Sequence, residues 1–149
     1  MSLSDQVNND IKAAMKAREK GKLEALRNIK KEMIEARAAK GANAELSDEE
    51  SLKIIQKLAK QGKDSAAIYK EQGRDDLYRH EMDQVKVFEA FLPAKISDEE
   101  LVSAIRSIIK RTASSSMKDM GKVMGIATKE LAGKADGKDI AAKVRAMLQ

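Results

Sequence analysis

Apolar residues recur every three or four positions along nearly the whole chain, and no stretch alternates with period two. That spacing puts the apolar side chains on one face of an α-helix and leaves no strand with a buried face. Seven stripes can be traced. Leu3, Val7, Ile11, Ala14 and Met15 form the first, predicted to end near Gly21. Leu23, Leu26, Ile29, Met33 and Ile34 form the second, ending near Gly41. Leu52, Ile55, Leu58, Ala59, Ala66 and Tyr69 form the third, ending near Gly73. Leu77, Met82, Val85, Phe88 and Leu92 form the fourth, stopped by Pro93, the sole proline. Leu101, Val102, Ile105, Ile108 and Ile109 form the fifth, broken by Thr112–Ser116. The sixth runs from Met117 to about Leu131 and closes at Gly133. The seventh follows Asp136, a candidate N-cap, with Ile140, Ala141, Val144 and Leu148.

The fold expected is therefore all-α: long N-terminal helical hairpins, then a compact C-terminal three-helix bundle. Pro93 marks the joint, giving an N-terminal helical domain over 1–93 and a C-terminal one over 94–149. The four residues SDEE occur twice, at Ser47–Glu50 and Ser97–Glu100. Both have the Ser-x-x-Glu form of a capping box and should open a helix.

Composition agrees with this class. Apolar residues make up 42%, charged residues 36% and aromatics only 3%, a poor supply for tight β-sheets. Cysteine is absent, which excludes disulfides, thiolate metal sites and a cysteine nucleophile. No secretory signal or apolar run long enough to span a bilayer is present, so a soluble cytoplasmic protein with no membrane partner is expected.

Reactive groups are few. The single histidine, His80, lies in the charged stretch DLYRHEMDQ and reads as an exposed helix residue. No HExxH, CxxC, phosphate-binding GxxxxGK[ST] or dinucleotide-binding glycine pattern occurs. Ser114–Ser116 precede a helix and suit N-capping better than nucleophilic chemistry. The pairs Glu49–Glu50 and Asp75–Asp76 fall in first helical turns, where carboxylates favour the macrodipole. No catalytic residue, metal ligand or cofactor is expected.

Charge is distributed unevenly. Residues 1–40 carry +4, residues 41–100 carry −5 and residues 101–149 carry +6. A basic end after an acidic middle suggests surfaces for different partners. The basic end contains SSSMKDMGKVMG, Ser114 to Gly125. On a helical wheel with Met117 at zero, Met120, Val123, Met124, Ala127 and Leu131 fall at roughly 240° to 340° and face a core. Lys118, Lys122 and Lys129 fall at roughly 100° to 140°. Gly121, Gly125 and Ala132 lie between them, at roughly 40° to 80°, as a low shoulder.

Each interior glycine costs a helix about 1 kcal/mol relative to alanine, and a shoulder without side chains lets another backbone come close. Two occupants fit: a neighbouring helix of the same chain, or a sugar–phosphate backbone held by the lysines. The next segment, LAGKADGKDI, brings Gly133, Lys134, Gly137 and Lys138 to the start of helix seven, where free N–H groups favour phosphate. Lys118, Lys122, Lys129, Lys134 and Lys138 are thus candidate RNA contacts, with Gly121, Gly125, Gly133 and Gly137 allowing backbone approach. Aromatics are missing here, so recognition would be of backbone and shape, as for structured RNA, rather than base stacking. The competing possibility is a protein-interaction adaptor using the long N-terminal helices.

These same residues resemble a known family. MGKVMGIATKELAGKADGKDIAAKVRAML is similar to the end of the B subunit of glutamine-dependent aminoacyl-tRNA amidotransferase. Its small free-standing relatives are the YqeY-like proteins. KQGKDSAAIYKEQGRDDL (Lys60 to Leu77), the E-x-F-L-P ending at Pro93, SDEEL (Ser97 to Leu101) and SSMKDMGKVMG extend the likeness over nearly the whole chain. Gly62 departs from it, standing where these proteins often carry a basic residue.

The resemblance implies an all-α two-part fold, a tRNA-contacting tail, and the family-level label of carbon–nitrogen ligase with glutamine as amide donor. The glutaminase of that enzyme is a different subunit, and the kinase-like body of the B subunit has no counterpart here. The shared part is the tail module.

Overall fold

The structure, a computed structural model, describes residues 1–149. It is all-helical: α1 Leu3–Ala17, α2 Lys20–Lys40, α3 Asp48–Glu71, α4 Asp75–Ala90, α5 Asp98–Thr112, a 3-10 turn Met117–Asp119, α6 Met120–Glu130 and α7 Gly137–Leu148. The chain divides into two compact units, Met1–Leu92 and Pro93–Gln149.

In the first unit α3 and α4 pack along one another, α2 lies against both, and α1 lies against α2 and α3. The periodic apolar residues meet in one core, with Val7, Leu26, Ile29, Met33, Ile55 and Phe88 at its centre. Fully burying side chains such as Leu26 and Ile29 contributes about 1.5–3 kcal/mol each. In the second unit α5, α6 and α7 are in mutual contact around Leu101, Ile105, Ile108, Val123, Ile140 and Val144. The amide of Ile96 donates to the carbonyl of Lys134 at 2.9 Å, tying the segment after Pro93 to the turn before α7.

Helix ends show which local rules operate. Gly41, Gly73 and Gly133 follow α2, α3 and α6 with φ of +126°, +69° and +76°, conformations that cost glycine little. The end expected near Gly21 is displaced. Arg18, at φ 57°, stops α1, and its amide donates to the carbonyls of Ala14 and Met15. Gly21 instead sits in the first turn of α2. Arginine does not normally announce a left-handed residue, so the stop carried no sequence signal. The first SDEE forms a complete capping box, with Ser47 and Glu50 exchanging bonds. The second is half-formed: Ser97 accepts the Glu100 amide, but its hydroxyl, not its backbone amide, donates to the Glu100 carboxylate. Ser2 and Asp5 make a further box at the start of α1, which a search for glutamate at the third position misses.

Candidate nucleic-acid interface

The stretch opening α6 is assembled by short-range bonds. The Ser116 hydroxyl accepts the Lys118 amide at 3.4 Å, and the Asp119 carboxylate accepts the Ser115 amide at 3.0 Å. These bonds hold Met117–Asp119 in a 3-10 turn rather than in the α-helix expected from Met117. The tighter winding, about 120° per residue instead of 100°, rotates Lys118 by roughly 40° toward the line of Gly121 and Gly125. Beyond it Val123 and Ala127 are buried, Met120 and Met124 pack at the edge of the core, and Met117 is exposed. The three stripes read from the sequence are thus apolar, glycine and lysine faces of one short helix, with Lys118 shifted onto the glycine line.

Gly121 and Gly125 are both exposed, and a β-carbon built on either would meet nothing within 4 Å. A neighbouring helix of the same unit therefore does not occupy the shoulder. Gly137, in the first turn of α7, is open in the same way. Gly133 differs: it is buried and turns the chain after α6 with a positive φ.

All five candidate lysines, Lys118, Lys122, Lys129, Lys134 and Lys138, are exposed. The ion pairs of this unit are Arg111–Glu130 and Lys143–Asp98, and neither involves Lys118 or Lys129. Lys122 donates from Nζ to the carbonyl of Thr112 at 3.3 Å, placing a cation on the negative end of α5. Nearby Glu130 is engaged by Arg111, whose Nη2 reaches both carboxylate oxygens at 3.0 and 2.9 Å. That pairing withdraws the one carboxylate of α6 from the lysine face. At α7 the balance differs. Asp136 at the N-cap and Asp139 in the first turn already supply carboxylates to the positive helix end, so attraction for a phosphate near Lys134 and Lys138 is locally offset. Arg106, Lys110 and Arg145 are also exposed in this unit. The sequence reading passed over them because they lie outside the glycine-bearing stretch.

In the first unit, His80 is exposed on α4, with Nε2 at 3.5 Å from Glu24 Oε1 and 3.3 Å from Gln84 Nε2. Gln84 is buried and accepts from Asn28 at 3.1 Å. This is a polar seam between α2 and α4. Gly62 is also buried: a β-carbon there would stand 2.6 Å from Cγ2 of Val85. In this chain a longer side chain at position 62 would collide with α4. No helix is long and apolar enough to cross a membrane.

A family model described as Yqey-like protein matches residues 4–148. No curated protein matches the chain at a significant level.

Proposed function

The chain belongs to the Yqey-like family, and from that premise and the surface of α6 we propose that it is a small module binding structured RNA, tRNA in the first instance. The observation that carries the reading is the open shoulder of Gly121 and Gly125 on an exposed helix face, bordered by Lys118, Lys122 and Lys129. Two helix-weakening glycines that touch nothing in the fold gain a purpose if a sugar–phosphate backbone lies across them. The lysines then supply charge to that backbone, while the lack of aromatics favours recognition by shape. Lys134 and Lys138 extend the same interface toward α7, as flanking contacts. The role is that of an accessory in aminoacyl-tRNA amidation or a neighbouring translation step, in the cytoplasm, without catalysis by the isolated chain.

Equilibrium binding of the full chain to tRNA across a salt series tests this. Phosphate contacts make affinity fall steeply with salt. Charge reversal at Lys118, Lys122 and Lys129 should lower affinity at least tenfold and flatten the salt dependence by about two to three units of slope. Absent tRNA affinity, or affinity indifferent to these substitutions, overturns the reading. A protein-interaction adaptor would instead retain partners after nuclease treatment, and a self-sufficient ligase would hydrolyse glutamine.

A further inference from the structure

A second basic surface lies in the other unit, on α2. With Leu26 at zero on a helical wheel, Lys20, Arg27, Lys30, Lys31, Ile34 and Arg37 fall within an arc of roughly 20° to 140°. No carboxylate lies inside that arc; Glu24, Glu32 and Glu35 project outside it. The adjoining face of α2, at roughly 300° to 360°, is occupied by Ile29, Met33 and Leu26 in the core, and Leu23, at roughly 60°, is partly buried against that core; the five cations and Ile34 are all exposed. None of its five cations forms an ion pair, and the Arg37 guanidinium donates to the Ser4 hydroxyl at 3.4 Å. Elsewhere in the same unit acids do capture bases: Lys40 pairs with Glu50, Lys53 with Glu49 and Lys63 with Glu89. The stripe spans about 26 Å of helix from Lys20 to Arg37.

We infer that this face of α2 is a second phosphate-backbone contact, which the first unit contributes to binding of structured RNA; the inference rests on the RNA-binding role proposed above. Residues three and four apart on a helix stand about 5–6 Å from one another, a step suited to tracking successive phosphates of one strand. Other occupants fit less well. A membrane-surface helix needs an apolar face to insert, and that of α2 is buried in the core, leaving only Ile34 exposed in the stripe. A protein partner would look for aromatic or apolar anchors, and lysine is depleted in such interfaces. The stripe offers three lysines, two arginines and one isoleucine.

The test uses the full chain and tRNA. Arg27→Gln, Lys30→Gln and Lys31→Gln together remove three charges at exposed sites while keeping good helix formers. Circular dichroism checks the fold, and Arg27→Lys serves as a charge-preserving control that should bind as wild type. The triple variant should lose at least tenfold in affinity at low salt, with the salt slope reduced by about two to three. If wild type binds tRNA and the triple variant keeps its affinity and slope, the α2 contact is wrong while the α6 interface stands. If wild type does not bind tRNA, both fall. Tighter binding of wild type to phosphatidylserine vesicles than to tRNA, abolished by the same three changes, would reassign the stripe to membranes and overturn the inference.

Discussion

In α3 a β-carbon added to Gly62 would stand 2.6 Å from Val85 in α4, whereas on Gly121 or Gly125 of α6 it would meet nothing within 4 Å. The same residue in the interior of a helix thus serves opposite ends. In the first unit it removes a side chain so that two helices of the fold can close together. In the second it leaves a helix face bare toward solvent. The intrinsic cost, about 1 kcal/mol against alanine, is the same in both places. Only at Gly62 does packing within the chain compensate. The SDEE segments make a parallel contrast: Glu50 closes its box and binds Lys40 at 2.7 Å, while Glu100 only returns a bond to the Ser97 hydroxyl.

Overfilling the close contact should give the largest effect. Gly62→Leu drives a branched side chain into Val85 and should destabilise the first unit by about 1–3 kcal/mol, read as a lower midpoint in thermal denaturation. Pairing it with Val85→Ala should recover part of the loss, because the two positions share one contact. A Gly62→Leu protein as stable as wild type would erase the contrast between the two kinds of glycine.

The open glycines should respond in the opposite sense. Gly121→Ala and Gly125→Ala should each stabilise the second unit by up to about 1 kcal/mol, since nothing obstructs the methyl group. The same two changes should weaken tRNA binding if a backbone lies across the shoulder. Gained stability with unchanged affinity would leave the glycines without a part in RNA recognition.

The smallest effect concerns the two caps. The hydrogen bond from Lys40, followed by that from the Ser47 amide, holds the Glu50 carboxyl below the ordinary glutamate range. Its folded-state value is depressed, so the cap adds stability above the unfolded-state pKa and loses it as pH falls through the folded one. Carboxyl titration by NMR should show the Glu50 value rising in Lys40→Ala; an unmoved titration would show that the Ser47 box alone sets it.

Much of the fold was legible because helix formation is local. The stripe Leu101, Ile105, Ile108 became the core face of α5, and a break before α6 did occur, though over Ala113–Ser116, with Thr112 still closing α5. Asp75–Asp76 opened α4 as their chemistry suggested. The misses were positions where a conformation is imposed without a characteristic residue, such as Arg18 in a left-handed helix stop. The candidate interface was legible as residue types, and less so as geometry. The wheel located Gly121, Gly125 and Lys122 on adjoining faces, but the 3-10 turn that shifts Lys118 depends on the particular bonds of Ser116 and Asp119. The basic stripe of α2 was present in the sequence too, yet only the fold shows that its cations are exposed and form no ion pair.

The sequence by itself determined the all-helical class, the apolar face of each helix and most helix starts, because periodicity and capping act over a few residues. Tertiary structure alone decided which glycines are packed and which are bare. A glycine has no side chain with which to state its neighbour, so Gly62 and Gly125 look alike until α4 closes on one and nothing in the fold meets the other.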